Sequence, residues 1–202
     1  MATAMERGNG FLSAAGLAGS LSLVLLSLTI GCGRKEPPKT PVATQSPVAS
    51  VENYPTLVAQ AQEVNDAFRR RDFARMLDLT YPKVIEAAGG RYKMIASLAK
   101  GMKEMEAEGV TVLSSTAEAP TQIVHVSDWI YAVVPTTLNV KAQTGIFKTE
   151  SSMIGISSDH GANWTFIDAG GKDRKQLLSF LPAPADTLKL PAEKEPVKIS
   201  GS

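Results

Sequence analysis

The hydrophobic period of this chain changes once, at Gly109, and that change limits the possible folds more than any other feature. Upstream of it, Leu57, Val58, Ala61, Val64, Ala67 and Phe68 recur three and four residues apart. This predicts an amphipathic helix over 55–71 with Pro55 in its first turn. Asp72 is placed to cap a second short helix carrying Phe73, Met76 and Leu77. Pro82 opens a further helical turn over 83–88, which Gly89-Gly90 stops. A longer helix over 91–108 carries Met94, Ile95, Leu98, Met102 and Met105 on one face, and its methionines read as core packing. Downstream, residues 110–115, 122–126, 129–135, 144–157 and 164–168 are rich in β-branched and aromatic side chains, with Pro, Gly, Asn and Asp between them. Ser127-Asp128 is short enough for a hairpin turn, and 172–180 reads as a last short helix. Helices followed by antiparallel strands predict an α+β domain, its N-terminal helices packed on one face of a curved antiparallel β-sheet.

Composition sets the limits of that domain at 53–181. Residues 32–52 contain Pro37, Pro38, Pro41 and Pro47 among Thr, Ser, Ala and Lys. They cannot bury enough surface to offset their ordering entropy, so they read as a disordered tether. Residues 182–202, with Pro184, Pro191 and Pro196, read as a disordered Pro/Lys-rich tail for the same reason. Twenty-one basic and 20 acidic residues leave no field to steer a polyanion, which disfavours nucleic acid as a partner. Arg69, Arg70 and Arg71 form a basic run that suits the C-terminal end of a helix. One cysteine allows no intrachain disulfide. With two histidines far apart in sequence and no G-x-S-x-G elbow, neither a metal site nor a serine nucleophile is expected.

That cysteine, Cys32, closes the run Leu-Ser-Leu-Thr-Ile-Gly-Cys over 26–32, after an apolar stretch over 11–30 and a start containing Arg7. The arrangement resembles the signal peptide and lipobox of bacterial lipoproteins, with 1–31 as the signal. The resemblance implies a diacylglycerol on the Cys32 thiol and an acyl chain, palmitate for instance, on the new amino terminus. The implied partner is the membrane and the implied location the cell envelope. Gly33 is not the Asp that marks inner-membrane retention, which favours the outer membrane in a Gram-negative cell. The alternative is an uncleaved single-pass helix, since 11–30 approaches the ~20 residues that span a bilayer; Arg34 and Lys35 would then favour a cytoplasmic C-terminal flank.

The order of elements over 54–180, closing on the strand Asn163-Trp164-Thr165-Phe166-Ile167-Asp168, is similar to the NTF2-like, or cystatin-like, cone. That resemblance implies helices folded against a strongly bent sheet with a pocket at the open end. Asp168 and His125 are the speculative catalytic pair, and Tyr81, Trp129 and Tyr131 are candidates to line the pocket. A carboxylate buried among aromatic rings could act there as a general base.

Ser157, Asp159, Gly161 and Trp164 fit the S-x-D-x-G-x-x-W pattern of the Asp-box in sialidases and related propellers. Asp suits a turn in which it folds back on its own backbone, Gly tolerates positive φ, and Trp supplies buried area. One copy in a chain with too few strands for a propeller points to a structural hairpin, not to glycan hydrolysis.

Three functions remain open on these residues. One is a non-catalytic envelope lipoprotein that binds a small apolar ligand or a partner protein, with no cofactor. Another is a pocket enzyme of the isomerase or dehydratase kind using Asp168 and His125. The last is a structural dimerisation module, a homodimer paired through its sheet.

Overall fold

The computed structural model describes residues 54–183, 185, 187–191 and 194–200; Cys32, the signal and the tether lie outside the described residues. Four helices come first: α1 (Pro55–Arg70), α2 (Phe73–Asp78), α3 (Pro82–Ala87) and α4 (Arg91–Ala107). Proline stands at the first turn of α1 and of α3, where the missing N–H is not needed. Arg71 ends α1 in the left-handed conformation, returning its N–H to the last carbonyls. The Asp72 carboxylate caps α2 by accepting from the Arg75 N–H at 3.0 Å.

Six strands follow: β1 (Thr111–Ala117), β2 (Gln122–Val126), β3 (Trp129–Ala142), β4 (Gly145–Ser157), β5 (Thr165–Asp168) and β6 (Val197–Ser200). A fifth helix, α5 (Arg174–Phe180), lies between β5 and β6 and opens with a capping box of Asp173 and Gln176. The sheet is antiparallel and strongly curled, a half-barrel built around the long β3–β4 hairpin. β2 pairs with the first half of β3 and β1 with the second half, along the same edge. β5 and β6 divide the outer edge of β4 in the same way.

β3 runs beyond the expected stop at Pro135, and the register shows why. The Pro135 carbonyl accepts from the Glu118 N–H at 2.9 Å, so its backbone polar groups face the outer edge, where β2 hands over to β1. The absent N–H therefore removes no rung between β3 and β4.

Half of the central hairpin is buried on both faces, as residues 130–134 and 152–157 are buried without interruption. Ile130, Ala132, Val134, Met153 and Phe166 pack with Leu57, Ala61 and Val64 of α1. Tyr131, Val133, Ile154, Ile156 and Ile167 face the other way and pack with Leu177 of α5 and with Leu181, Ala185 and Leu188. Helical cover on one face alone, as expected from the element order, would leave this second apolar row in water. Burying it removes apolar surface at about 25 cal/mol per Å².

The C-terminal segment therefore departs from the expected disordered tail. Leu188 is fully buried, and β6 pairs with β4 at Ile146, Phe147 and Lys148. Lys194 also binds Glu150 of β4 at 2.5 Å. Before β6 the segment takes hydrogen bonds from side chains, with Tyr131 bonded to Ala183, Gln122 to Thr187 and Lys189, and Arg174 to Leu188.

Close packing on the α1 face centres on Gly155. A Cβ there would lie 3.0, 3.2 and 3.3 Å from Leu57, Trp164 and Phe166, whereas the space around Gly101 in α4 is empty. By chemical denaturation, Gly155→Val is expected to lower stability by about 1–3 kcal/mol through overpacking. Gly101→Ala is expected to raise it by up to about 1 kcal/mol through helix propensity. Equal effects of the two would contradict this packing.

Candidate functional site

The turn between β4 and β5 is built as its residue types suggest. The Ser157 hydroxyl donates to Asp159 Oδ1 at 2.8 Å and accepts from the Gly161 N–H at 3.0 Å. Asp159 Oδ1 accepts from the Asn163 N–H at 2.9 Å, and Oδ2 from the Asn163 amide at 2.7 Å. Trp164 is buried, donates its indole N–H to Gly161 O at 3.0 Å, and meets Tyr54 edge-on at 5.4 Å between ring centres. Gly161 has φ 84° and the Tyr54 ring lies against its Cα, so any side chain would be both strained and blocked. His160, at φ 57°, is an exposed turn residue.

Helix α1 holds the turn from outside, through residues the sequence does not single out. Thr56 donates to Gly161 O at 2.9 Å. The Gln60 amide accepts from the Trp164 N–H at 2.8 Å and donates to Ala162 O at 3.5 Å. Gln62 does the same to β1, donating to Ser115 O at 3.0 Å and accepting from the Ala117 N–H at 2.8 Å. The polar groups of the motif are thus spent on one another, on the backbone of the turn and on α1, which makes it a structural element.

The proposed acid–base pair does not assemble. His125 is in register with Ile130 and Asp168 with Met153, so both belong to the face that packs on α1. They are separated by three strand spacings and, along β3, by the four residues from Ile130 to Val134. At about 3.3 Å per residue and about 4.8 Å per strand, that is roughly 20 Å along the sheet. Both residues are exposed: His125 lies 3.4 Å from the Tyr54 hydroxyl, and Asp168 accepts from the Gly170 N–H at 3.1 Å. The two side chains do not form a hydrogen-bonded acid–base pair.

The three aromatic candidates do come together, but on the opposite face. Tyr81 and Tyr131 are buried in the second core, and Trp129 packs at its margin. Residues 79–81 run beside β5, with the Phe166 N–H bonded to Leu79 O at 2.7 Å and the Tyr81 N–H to Phe166 O at 2.9 Å. Burial pushes both phenols up from their ordinary value, so each remains a neutral hydroxyl. The Tyr131 hydroxyl donates to Ala183 O and accepts from the Ala183 N–H, both at 3.1 Å.

That face is covered by Leu177 of α5 and by Leu181, Ala185 and Leu188. Two cavities lie elsewhere. One of about 360 Å³ sits beside the β3–β4 turn at Gly109, Gln143 and Gly145. Another of about 160 Å³ lies between Arg71, Met102 and Val112, where Arg71 is ion-paired with Glu106. The neighbouring Arg69, Arg70 and Arg75 are likewise paired with Asp66 and Glu63. The basic run is therefore neutralised at the end of α1, not arrayed for an anion. Among the described residues, no group of three or more His, Cys, Asp or Glu side chains is placed to hold a metal ion, and no helix is long and apolar enough to cross a membrane.

No protein-family model, curated protein or solved structure matches the chain.

The turn makes a definite demand on pH. The Asn163 backbone N–H, then the Asn163 amide and the Ser157 hydroxyl, hold the Asp159 carboxyl down to about 2. Its folded value lies below that of the unfolded chain. The carboxylate therefore stabilises the fold above about pH 4, and this contribution disappears as pH falls from about 4 to about 2. The urea midpoint of wild type is expected to fall more steeply over that window than that of Asp159→Asn. Parallel profiles would contradict the turn geometry.

Proposed function

We infer that this chain is a lipid-anchored envelope protein whose α+β domain, an NTF2-like cone, binds a small apolar ligand or a partner protein without catalysis. The sorting of candidate residues carries this reading. The groups capable of proton transfer, His125 and Asp168, are exposed and roughly 20 Å apart along the sheet at the spacings given above. The aromatic and aliphatic residues gather instead on the second face. An exposed carboxylate at a strand end lacks the apolar burial that makes a general base of this kind. Recognition by shape and apolar contact is what remains.

The cone is supported by helices that precede a strongly curled antiparallel sheet and by α1 packed across one of its faces. The anchor is supported by the run ending at Cys32 and by the energetics of acylation. Each buried methylene contributes about 0.8 kcal/mol, so one chain holds marginally while two or more hold stably. A Pro-rich tether between anchor and domain suits a module that works a short distance from the lipid surface.

Mass spectrometry of the mature protein tests the anchor. Diacylglycerol mass on an N-terminal Cys32, lost in Cys32→Ser, is expected. An unmodified Cys32 with residues 1–31 retained would favour the single-pass helix. Turnover of small esters or ketosteroids by purified protein, abolished in Asp168→Asn, would overturn the non-catalytic reading.

A further inference from the structure

We propose that the cavity of about 160 Å³ between α1, α4 and β1 is the ligand site of the binding module, and that the Asn65 amide at its inner end donates to an oxygen of a small, neutral, otherwise apolar ligand. This rests on the binding-module reading and gives it a place and a ligand class. The observation behind it is a buried donor. Asn65 is 7% exposed, and among the described residues its Nδ2 has no hydrogen-bond partner. A buried N–H left in that state costs free energy, and in a native fold it calls for a partner.

Helix geometry puts that donor at the end of the cavity. Residues four apart share a helix face and stand about 6 Å apart along the axis. On one such row of α1, Ala61 is packed in the core, Asn65 comes next, and Arg69 lines the cavity. Asn65 therefore stands where the core gives way to the cavity.

The rest of the lining sets the ligand class. Met102 and Met105 of α4 share it with Val110 and with Val112 of β1, and methionine adapts its shape to what it meets. The charges at the edge are spent on one another, Arg71 on Glu106 and Arg69 on Asp66. Neither guanidinium is left over for an anion. A carbonyl or ether oxygen needs only the one donor, so a small ketone, ester or ether with an apolar body fits both the walls and the amide.

Nuclear magnetic resonance titration of the full chain, with labelled methionine methyl groups, tests this with two probes. Cyclohexanone carries the oxygen; methylenecyclohexane keeps the shape and lacks it. Cyclohexanone is expected to shift the Met102 and Met105 methyls and the Asn65 side-chain amide protons, and to bind about fivefold more tightly than methylenecyclohexane. Asn65→Leu is expected to abolish that preference while both compounds still bind. Equal affinities in wild type, or a preference that survives in Asn65→Leu, overturns the proposal.

If Asn65→Leu does not fold, Val112→Trp decides the matter, because it fills the cavity from the sheet side and keeps the amide. It is expected to lose the Met102 and Met105 shifts, and unchanged binding overturns the site. Shifts confined to other parts of the domain overturn this site and leave a binding module standing. An absence of shifts with both compounds also overturns the site, and the module is then read separately, by thermal shift against a panel of apolar compounds.

Discussion

A hairpin buried on both faces is the constraint from which the rest of this structure follows. Over 130–134 and 152–157 the two central strands have no solvent side, so the chain must supply two separate covers. Helix α1 is one, reaching the sheet through Leu57, Ala61 and Val64. The other is assembled from the opposite end of the sequence, by Leu177, Leu181, Ala185 and Leu188. In a domain of this size the stability margin is a small difference between large opposing terms, and neither cover is dispensable.

Three glutamines solve the same local problem at the seams. Gln60 bonds the 162–164 backbone, Gln62 the 115–117 backbone and Gln122 the 187–189 backbone, each accepting from one N–H and donating to a carbonyl two residues earlier. Each amide takes the place of a missing strand where a helix or an irregular segment meets an extended one. Buried or half-buried backbone groups are costly when left without a partner, and a side-chain amide carries both a donor and an acceptor. Two of these contacts fasten α1 to the sheet, and the third fastens the tail.

What was legible in the sequence was what is local. The helices and five of the strands follow from periodicity, caps and turn residues, and the Ser157 to Trp164 turn closes its bonds within eight residues. The pairing of His125 with Asp168 failed because strand order is not local. β1 and β2 share one edge of β3, which sets β2 three strands from β5. The tail carries no sequence signal of its order because Ala185 and Leu188 are too sparse to show a period among prolines, and its partners lie more than fifty residues away. The glutamines carry no signal in sequence, since an amide on a helix looks like any solvated polar residue until the strand it meets is known.

The two faces of the sheet are closed in different ways. The α1 face is closed by bulky, closely fitted side chains around Gly155. The tail face is closed by Leu177, Leu181, Ala185 and Leu188, and the chain there is also held by main-chain bonds from Tyr131, Gln122 and Arg174. Nuclear Overhauser contacts measured on the folded protein test this most directly. The Lys189 amide proton is expected to show them to the Gln122 side chain, together with shifts at Leu188 displaced by the Tyr131 ring environment. Random-coil shifts over 183–190 with no contact to Gln122 would contradict the double cover on which the account rests.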